Sequence, residues 1–216
     1  RRLNLSFGVS GTALMWIKSY LSDRKQQVSI LHKLSCPHTL HFGVPQGSVL
    51  GPILFILYTS PLSTIISRHG LSCHFYADDT QLYATNNTKD VGNVVSRVEE
   101  CVTDVKEWMD ENKLKMNEAK TEVMIIANKK HQKEIGKLEV NVCGEKVLVS
   151  DSVKNLGVKF DSEMKMTAHI SSLCQALYFL LGKISSIRKY ISNATCTTLF
   201  VSLIFFKIRL LQLALC

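Results

Sequence analysis

The sequence predicts an α+β fold, in which helices and strands follow one another without a regular repeat. Two amphipathic patterns are long enough for extended helices, one over residues 91–109 and one over residues 167–190. Short runs of β-branched and aromatic residues before and between them indicate strands. With 216 residues, 46% of them hydrophobic and 20% charged, the chain suits one large globular domain or two small ones.

The first third of the chain predicts a helix, short strands and then a second helix. Apolar residues at spacings of three and four predict a helix over residues 12–22. A strand is expected to begin at residues 28–30, followed by a turn over 32–39 and another short strand. The next helix is expected over residues 49–67, with Pro52 tolerated near its first turn.

The remaining elements follow from similar patterns. The stretches "LSCHFY" and "TQLYAT" predict two strands that flank a pair of aspartates in a hairpin, although the turn lacks the glycine that tight primed turns prefer. After the 91–109 helix we expect further strands at residues 121–127, 138–142, 146–149 and 155–160. The middle two of these are expected to pair across "CGE".

The charge of the chain favours an anionic partner. Lys and Arg outnumber Asp and Glu by 26 to 18, which gives a formal net charge of +8. Nucleic acid and anionic membrane both suit this charge, and a solvated basic surface without such a partner is the alternative. We interpret the apolar segments 42–67 and 199–216 as packed helices, because prolines interrupt the first, and Lys207 and Arg209 interrupt the second.

The cysteines and the first residues indicate an intracellular protein. Seven cysteines are scattered without a C-x-x-C pair, which argues against a zinc knuckle and against a disulfide framework. The start, "RRLNLSFGVSG", shows no signal-peptide pattern and no initiator Met. We therefore expect reduced thiols and a chain cut from a longer protein.

The stretch "YADD" raises the sharpest chemical question. It places Asp78 and Asp79 between two predicted strands, where neighbouring carboxylates repel each other unless cations or hydrogen bonds offset the repulsion. Enzymes of phosphate transfer commonly use two Mg²⁺ ions, which prefer carboxylate oxygens. A turn between strands would hold both carboxylates at one edge. The pair therefore indicates a divalent metal site, with a solvent-exposed acidic turn as the alternative.

Four ordered blocks carry a resemblance to a known family. They read "GVPQGSVLGP", "YADD", "LKMNEAKT" and "NLGVKFD" along the chain. This series resembles the reverse transcriptase of non-LTR (LINE-type) retrotransposons of the Jockey, CR1 and L2 kind. The resemblance implies a polymerase palm over residues 1–160, an antiparallel sheet with packed helices that lacks the fingers and the first acidic block. It also implies the start of a helical thumb over residues 161–216.

The resemblance also implies the catalytic chemistry. Asp78 would be the direct ligand of Mg²⁺, or of Mn²⁺ in its place, and Asp79 a supporting carboxylate. Lys120 would meet or protonate the pyrophosphate leaving group, and a solvated lysine before a strand is the alternative. The substrates would be deoxynucleoside triphosphates.

Further residues would contact the nucleic acid, an RNA template with a DNA primer. Template and incoming nucleotide would lie against the loop residues Gly43, Pro45, Gln46 and Gly47. The primer would lie against Tyr76 and against a primer grip made of Asn155, Leu156, Gly157 and Val158. The basic end of the 167–190 helix would face the phosphate backbone. No membrane partner is implied, and the oligomeric state stays open.

The resemblance finally predicts a deficit of metal ligands. The family's first acidic block, whose aspartate bridges both metals, normally lies upstream of the first residues here. Positions 1–77 contain a single acidic residue, Asp23, in a helix-ending segment. We therefore expect the isolated chain to polymerise poorly or not at all. A non-catalytic nucleic-acid-binding remnant of a retrotransposon is the alternative, and a degenerate reading frame without function is a further one.

Overall fold

The computed structural model describes residues 2–45 and 47–209, and the chain divides into two units, Arg1–Met116 and Asn117–Cys216. Both units mix helices with short antiparallel strand pairs, which confirms the α+β prediction. Every sheet within the described ranges has two strands. The palm and the thumb, with their boundary after residue 160, therefore stay predictions.

The elements of the first unit are α1 (Arg2–Phe7), α2 (Gly11–Leu21), β1 (Lys25–Gln26), β2 (Ser29–Ile30), β3 (Lys33–Leu34), β4 (His38–Thr39), α3 (Gly51–Thr59), α4 (Pro61–Arg68), β5 (Ser72–Tyr76), β6 (Asp79–Tyr83) and α5 (Val91–Glu111). Along the first unit, helices precede and follow two groups of strands, β1 to β4 and β5 to β6. The predicted helices at 12–22 and 91–109 are confirmed as α2 and α5.

Two predictions in this unit are wrong. The expected turn over 32–39 contains β3 and β4, which pair with β2 and β1 in one antiparallel ribbon. Its turn lies instead at Leu31 and His32, both in the left-handed region with φ of 47° and 65°. The expected single helix over 49–67 is two helices, because Pro61 has no N–H to continue the hydrogen bonding of α3 and begins α4 instead.

The core of the first unit forms between α4, α5 and the β5–β6 hairpin. Its buried members are Leu62, Ile66, Leu71, Cys101 and Val105. Partly buried residues pack against them, among them Cys73 from β5 and Leu82 from β6. The core thus fixes one face of the hairpin that carries the paired aspartates.

Arg2 ties α1 to this core. Its guanidinium carbon lies 5.1 Å from the centroid of the Tyr58 ring and 5.4 Å from that of the Trp108 ring. The same side chain donates a hydrogen bond of 3.2 Å to Oδ1 of Asn112, at the C-terminal end of α5. Cation–π contact and charge at a helix C-terminus both favour this position.

Over residues 117–209, the second unit contains two β-hairpins and the helices α6 (Lys129–Ile135), α7 (Thr167–Ile187) and α8 (Asn193–Phe200). The hairpin strands are β7 (Glu139–Val142), β8 (Glu145–Leu148), β9 (Ser152–Asn155) and β10 (Val158–Asp161). The β7–β8 hairpin across Cys143 and Gly144 is confirmed. The helix expected over 167–190 is confirmed as α7 with a 3₁₀ turn, Arg188–Tyr190, at its end.

Two strand predictions in the second unit are wrong. Residues 121–127 form no strand, and only one isolated parallel bridge joins Val123 to Val149. The expected strand over 155–160 crosses the β9–β10 hairpin turn, where Leu156 and Gly157 both have positive φ. Leu-Gly therefore acts here as a turn signal, because the glycine takes a left-handed position without steric cost.

By length and composition alone, one helix among the described residues could cross a membrane, at Thr167–Tyr190. Core helices of soluble proteins meet the same criterion, so this is weak evidence for a span. The apolar tail over 199–216 begins with the last two residues of α8 and continues into a π-helical turn, Val201–Phe205. Residues 210–216 lie outside the described ranges.

Candidate catalytic hairpin

The paired aspartates lie at the tip of the β5–β6 hairpin. Tyr76 pairs with Asp79 in register, so the two-residue turn consists of Ala77 and Asp78. The expectation that both aspartates lie between the strands is therefore wrong for Asp79, which is the first residue of β6. Of the two turn residues, only Ala77 has a positive φ, at 53°. A tight hairpin turn favours glycine at this position.

Both carboxylates are open to a cation. Asp78 and Asp79 are exposed, and neither side chain has a hydrogen bond or an ion pair with any residue in the described ranges. Mg²⁺ takes oxygen ligands and retains several waters, so exposed and unpaired carboxylates fit it chemically. No group of three or more His, Cys, Asp or Glu residues that could hold a metal ion occurs in the described part of the chain.

The hairpin has one packed face and one open face. Cys73 and Leu82, which are opposite each other, pack against the core. Because side chains alternate along a strand, Tyr76 and Asp79 belong to the other face, together with His74 and Tyr83. The core therefore leaves the face beside the carboxylates exposed.

His74 and Tyr83 were not singled out from the sequence. Their rings stack with centroids 5.4 Å apart and an interplanar angle of 20°. The hydroxyl of Tyr83 lies 3.2 Å from Nε2 of His74. The period-two alternation of the two strands would have placed both residues on the face of Tyr76, had the register been known.

Cys101 belongs to the core cluster against which the hairpin packs. It is fully buried in the core cluster, and burial, with smaller contributions from the charges of Asp104 and Cys73, raises the pKa of its thiol from 9.0 to about 11. A raised pKa means that the folded state favours the neutral thiol. Cys101 is accordingly a structural residue and not a nucleophile.

This pKa predicts how the stability of the first unit depends on pH. The contribution of the neutral thiol is complete below pH 9.0 and is lost as pH rises through about 11. We expect the urea midpoint to fall more between pH 8 and pH 10.5 in the wild type than in Cys101→Ala. Tryptophan fluorescence reports this unit selectively, because Trp16 and Trp108 are the two tryptophans of the chain. Equal falls in the two proteins would contradict the assignment.

Residues 43–47, called the glycine-rich loop below, belong to the first unit. Gly43 and Gly47 have φ of 80° and 77°, so larger residues would be strained at both positions. Ser48 closes the turn before α3 with a hydrogen bond of 2.7 Å to the carbonyl of Pro45. Gln46, expected to contact template and nucleotide, lies outside the described residues.

The other expected site residues belong to the second unit. Lys120 has an exposed side chain in a 3₁₀ turn, Glu118–Lys120. Asn155 and Val158 pair with each other and flank the turn of the β9–β10 hairpin. Leu156 is half exposed at the tip of that hairpin, at 50%. Its backbone is left-handed, which gives the hairpin a tight and well-defined end.

Comparison with known proteins agrees with the motifs. The family model described as reverse transcriptase (RNA-dependent DNA polymerase) matches residues 4–160. The probable RNA-directed DNA polymerase from transposon BS of Drosophila melanogaster is 28% identical over 169 residues, covering 75% of this chain and 18% of that protein. The RNA-directed DNA polymerase from mobile element jockey of the same species is 26% identical over 175 residues, covering 78% of this chain and 18% of that protein.

The similarity covers only part of each relative. The chain spans about a fifth of the length of the curated relatives that it matches, at 18% for both. No solved structure matches the chain. The family match covers more than half of the residues, including the glycine-rich loop and the aspartate hairpin. The chain therefore belongs to the reverse transcriptase (RNA-dependent DNA polymerase) family, on the non-LTR retrotransposon branch that its motifs predict.

Proposed function

We propose that this chain supplies the catalytic hairpin of an RNA-directed DNA polymerase. The reaction adds deoxynucleotides to the 3′-hydroxyl of a DNA primer paired with an RNA template. The observation that supports the proposal best is the hairpin tip, where Asp78 and Asp79 are exposed and unpaired among the described residues. Membership of the reverse transcriptase family supports the same chemistry.

The two carboxylates would hold divalent metal ions. Asp78 would be the direct ligand and Asp79 the supporting one, for Mg²⁺ or for Mn²⁺ in its place. When bound, such ions activate the attacking hydroxyl and stabilise the leaving oxygen. The protein itself contributes position, because Cys73 and Leu82 anchor the hairpin in the core while its tip faces outward.

The open face of the hairpin would receive the primer. Tyr76, which is 64% exposed, offers a ring on that face next to Asp79. The loop with Gly43, Pro45 and Gly47 would let template and nucleotide approach the backbone closely, because glycine has no Cβ in the way. Gln46 would complete that loop.

Residues of the second unit would contribute to the same reaction. Lys120 would meet the pyrophosphate leaving group with its exposed ammonium group. The turn from Asn155 to Val158 would grip the primer, and α7 would begin the thumb. The polymerase would act inside the cell, where template RNA and deoxynucleoside triphosphates occur.

The metal affinity of the 216-residue polypeptide is expected to be low. Two carboxylates are few for a Mg²⁺ pair, which then depends on substrate phosphates for its remaining ligands. We therefore propose that the polypeptide alone polymerises poorly. The second candidate function, a nucleic-acid-binding remnant without catalysis, is favoured by the net charge of +8 and by the absence of a three-ligand cluster over residues 2–45 and 47–209.

Primer extension separates these candidates. The assay uses a labelled DNA primer on an RNA template, with Mg²⁺ and all four deoxynucleoside triphosphates. Weak extension by the chain that Asp78→Ala abolishes would favour the polymerase, and undetectable extension by the chain would favour the remnant. Robust extension that disappears in Asp78→Ala would contradict the low-activity proposal and confirm the polymerase. Extension of equal rate in both proteins would contradict the catalytic role of the hairpin.

A further inference from the structure

The segment from Arg24 to His41, called the basic ribbon below, has no role in the hairpin or in the glycine-rich loop. It consists of strands β1 to β4, closed at its base by a hydrogen bond of 2.8 Å from the N–H of Leu40 to the carbonyl of Arg24. Every residue from 25 to 39 is exposed, and none belongs to the core cluster. Two-stranded hairpins are marginally stable alone in water, so this ribbon would gain from a bound partner.

The basic ribbon and the residues after it, up to residue 77, contain basic side chains but no acidic ones. Residues 24–77 contain no Asp and no Glu. Arg24, Lys25 and Lys33 supply three fixed positive charges in the basic ribbon, and His32, His38 and His41 accompany them. Soluble surfaces usually mix both signs. An exposed segment whose only charged side chains are cations attracts anions and repels other basic surfaces.

Arg24 is incompletely satisfied by the described part of the chain. Its Nε donates to the carbonyl of Leu21 at 3.3 Å. Its Nη1 is buried and has no hydrogen-bond partner among the described residues. Leaving a buried charged donor without an acceptor is costly, by about 1–3 kcal/mol or more. The charge of an anion bound at the base of the basic ribbon would offset part of that cost.

The tip of the ribbon is apolar and strained. Leu31 is 90% exposed with φ of 47°, and Ile30 beside it is 67% exposed. A left-handed conformation costs an ordinary residue about 1–2 kcal/mol. Strained and exposed apolar side chains often mark contact sites. Cations along the ribbon with an apolar end suit a chain of phosphates and riboses, since phosphates are anionic and ribose faces are largely apolar.

From these observations we infer that the basic ribbon binds the sugar–phosphate backbone of a nucleic acid without reading its sequence. A two-stranded ribbon is narrow enough for a nucleic-acid groove, but the deep and narrow major groove of A-form helices keeps side chains from the bases. The cations of the ribbon would therefore meet the phosphates of an RNA–DNA hybrid, beside the 2′-hydroxyls that its wide minor groove displays. The inference rests on the proposed function only for the choice of nucleic acid.

Salt-dependent binding of the double variant Lys25→Ala/Lys33→Ala tests the inference. The probes are a fluorescein-labelled DNA primer annealed to RNA, and a single-stranded RNA, each titrated by anisotropy at several KCl concentrations. Both lysines are exposed, so the fold should persist. We expect weaker binding of the hybrid, with the slope of log K against log salt reduced in magnitude by about two, or about one for each lysine. A similar change with single-stranded RNA would show that single strands bind as well.

The matched control is Lys130→Ala/Lys133→Ala, which removes the same charge from exposed positions of α6. A smaller change in this control supports the basic ribbon as a distinct site. Equal changes in affinity in both variants would show that binding depends only on the net charge of the chain, and this result would overturn the inference. An unchanged ribbon variant would overturn it as well and would point to a protein partner. The assay contains EDTA and no nucleotide, so failure of the metal site would not affect its result.

Discussion

Replacing Asp78 by Asn is expected to weaken Mn²⁺ binding by at least about tenfold in the presence of primer–template and a deoxynucleoside triphosphate, because even outer-shell changes at metal sites cost this much. Asn preserves the size of the side chain but removes its charge, and hard divalent cations prefer carboxylates. Since Asp78 is exposed at a turn, the substitution should not disturb the fold. Electron paramagnetic resonance of free Mn²⁺ measures the affinity directly.

The matched control for this experiment is Asp23→Asn. Asp23 is the only other acidic residue before the hairpin, and its backbone is left-handed with φ of 51°, which Asn tolerates well. We expect Mn²⁺ binding in this variant to equal that of the wild type. A comparable loss of Mn²⁺ affinity in both variants would show that the affinity depends on the net charge of the chain and not on Asp78 as a ligand. A loss in Asp23→Asn alone would place the metal elsewhere.

Replacing Ile66 by Ala is expected to lower the free energy of unfolding of the first unit by about 2–5 kcal/mol, since buried Ile-to-Ala changes remove apolar contacts and leave a cavity. Ile66 is fully buried at the centre of the cluster formed by α4, α5 and the hairpin. Urea unfolding followed by tryptophan fluorescence measures the loss. The hairpin depends on this core, so primer–template binding at its open face should weaken in parallel.

Ile53→Ala serves as the control for Ile66→Ala. Ile53 lies on α3 and is 53% exposed, so the same chemical deletion leaves little or no cavity. We expect a change within about 0.5 kcal/mol, as for surface substitutions generally. If both variants lost equal stability, the core would not lie between α4 and the hairpin.

The long helices and the paired strands could be predicted because their hydrophobic periods are intact. In α5, buried Cys101, Val102 and Val105 follow the three- and four-residue spacing that the sequence shows. In β7, Val140 and Val142 are buried and their neighbours are exposed, as alternation requires. These signals are local, so they survive without knowledge of the tertiary structure.

The missed features depend on backbone conformation at single residues. Pro61 divides one apolar run into two helices. The turns at Leu31 and Ala77 place ordinary residues in the left-handed region, where the sequence offers no glycine to mark them. Residues 123–126 form a short apolar run rich in β-branched residues, which is typical of a strand, yet only one bridge forms there, because a strand needs a partner that a local pattern cannot identify.

The candidate site was predicted through its motifs and not through its geometry. Two adjacent aspartates by themselves indicate little, and the ordered blocks around them supplied the family. The structure adds the assignment of Asp78 to the turn and Asp79 to β6. It also adds the open face with His74 and Tyr83. The roles of Lys120 and of the Asn155–Val158 turn stay predictions.

Paramagnetic broadening by Mn²⁺ in nuclear magnetic resonance spectra of the chain with primer–template and nucleotide tests the metal site most directly. The proposed site predicts that the amide signals of Ala77, Asp78 and Asp79 broaden first as Mn²⁺ is added. Broadening that begins instead along the acidic helix α5, with the hairpin tip unaffected, would contradict it.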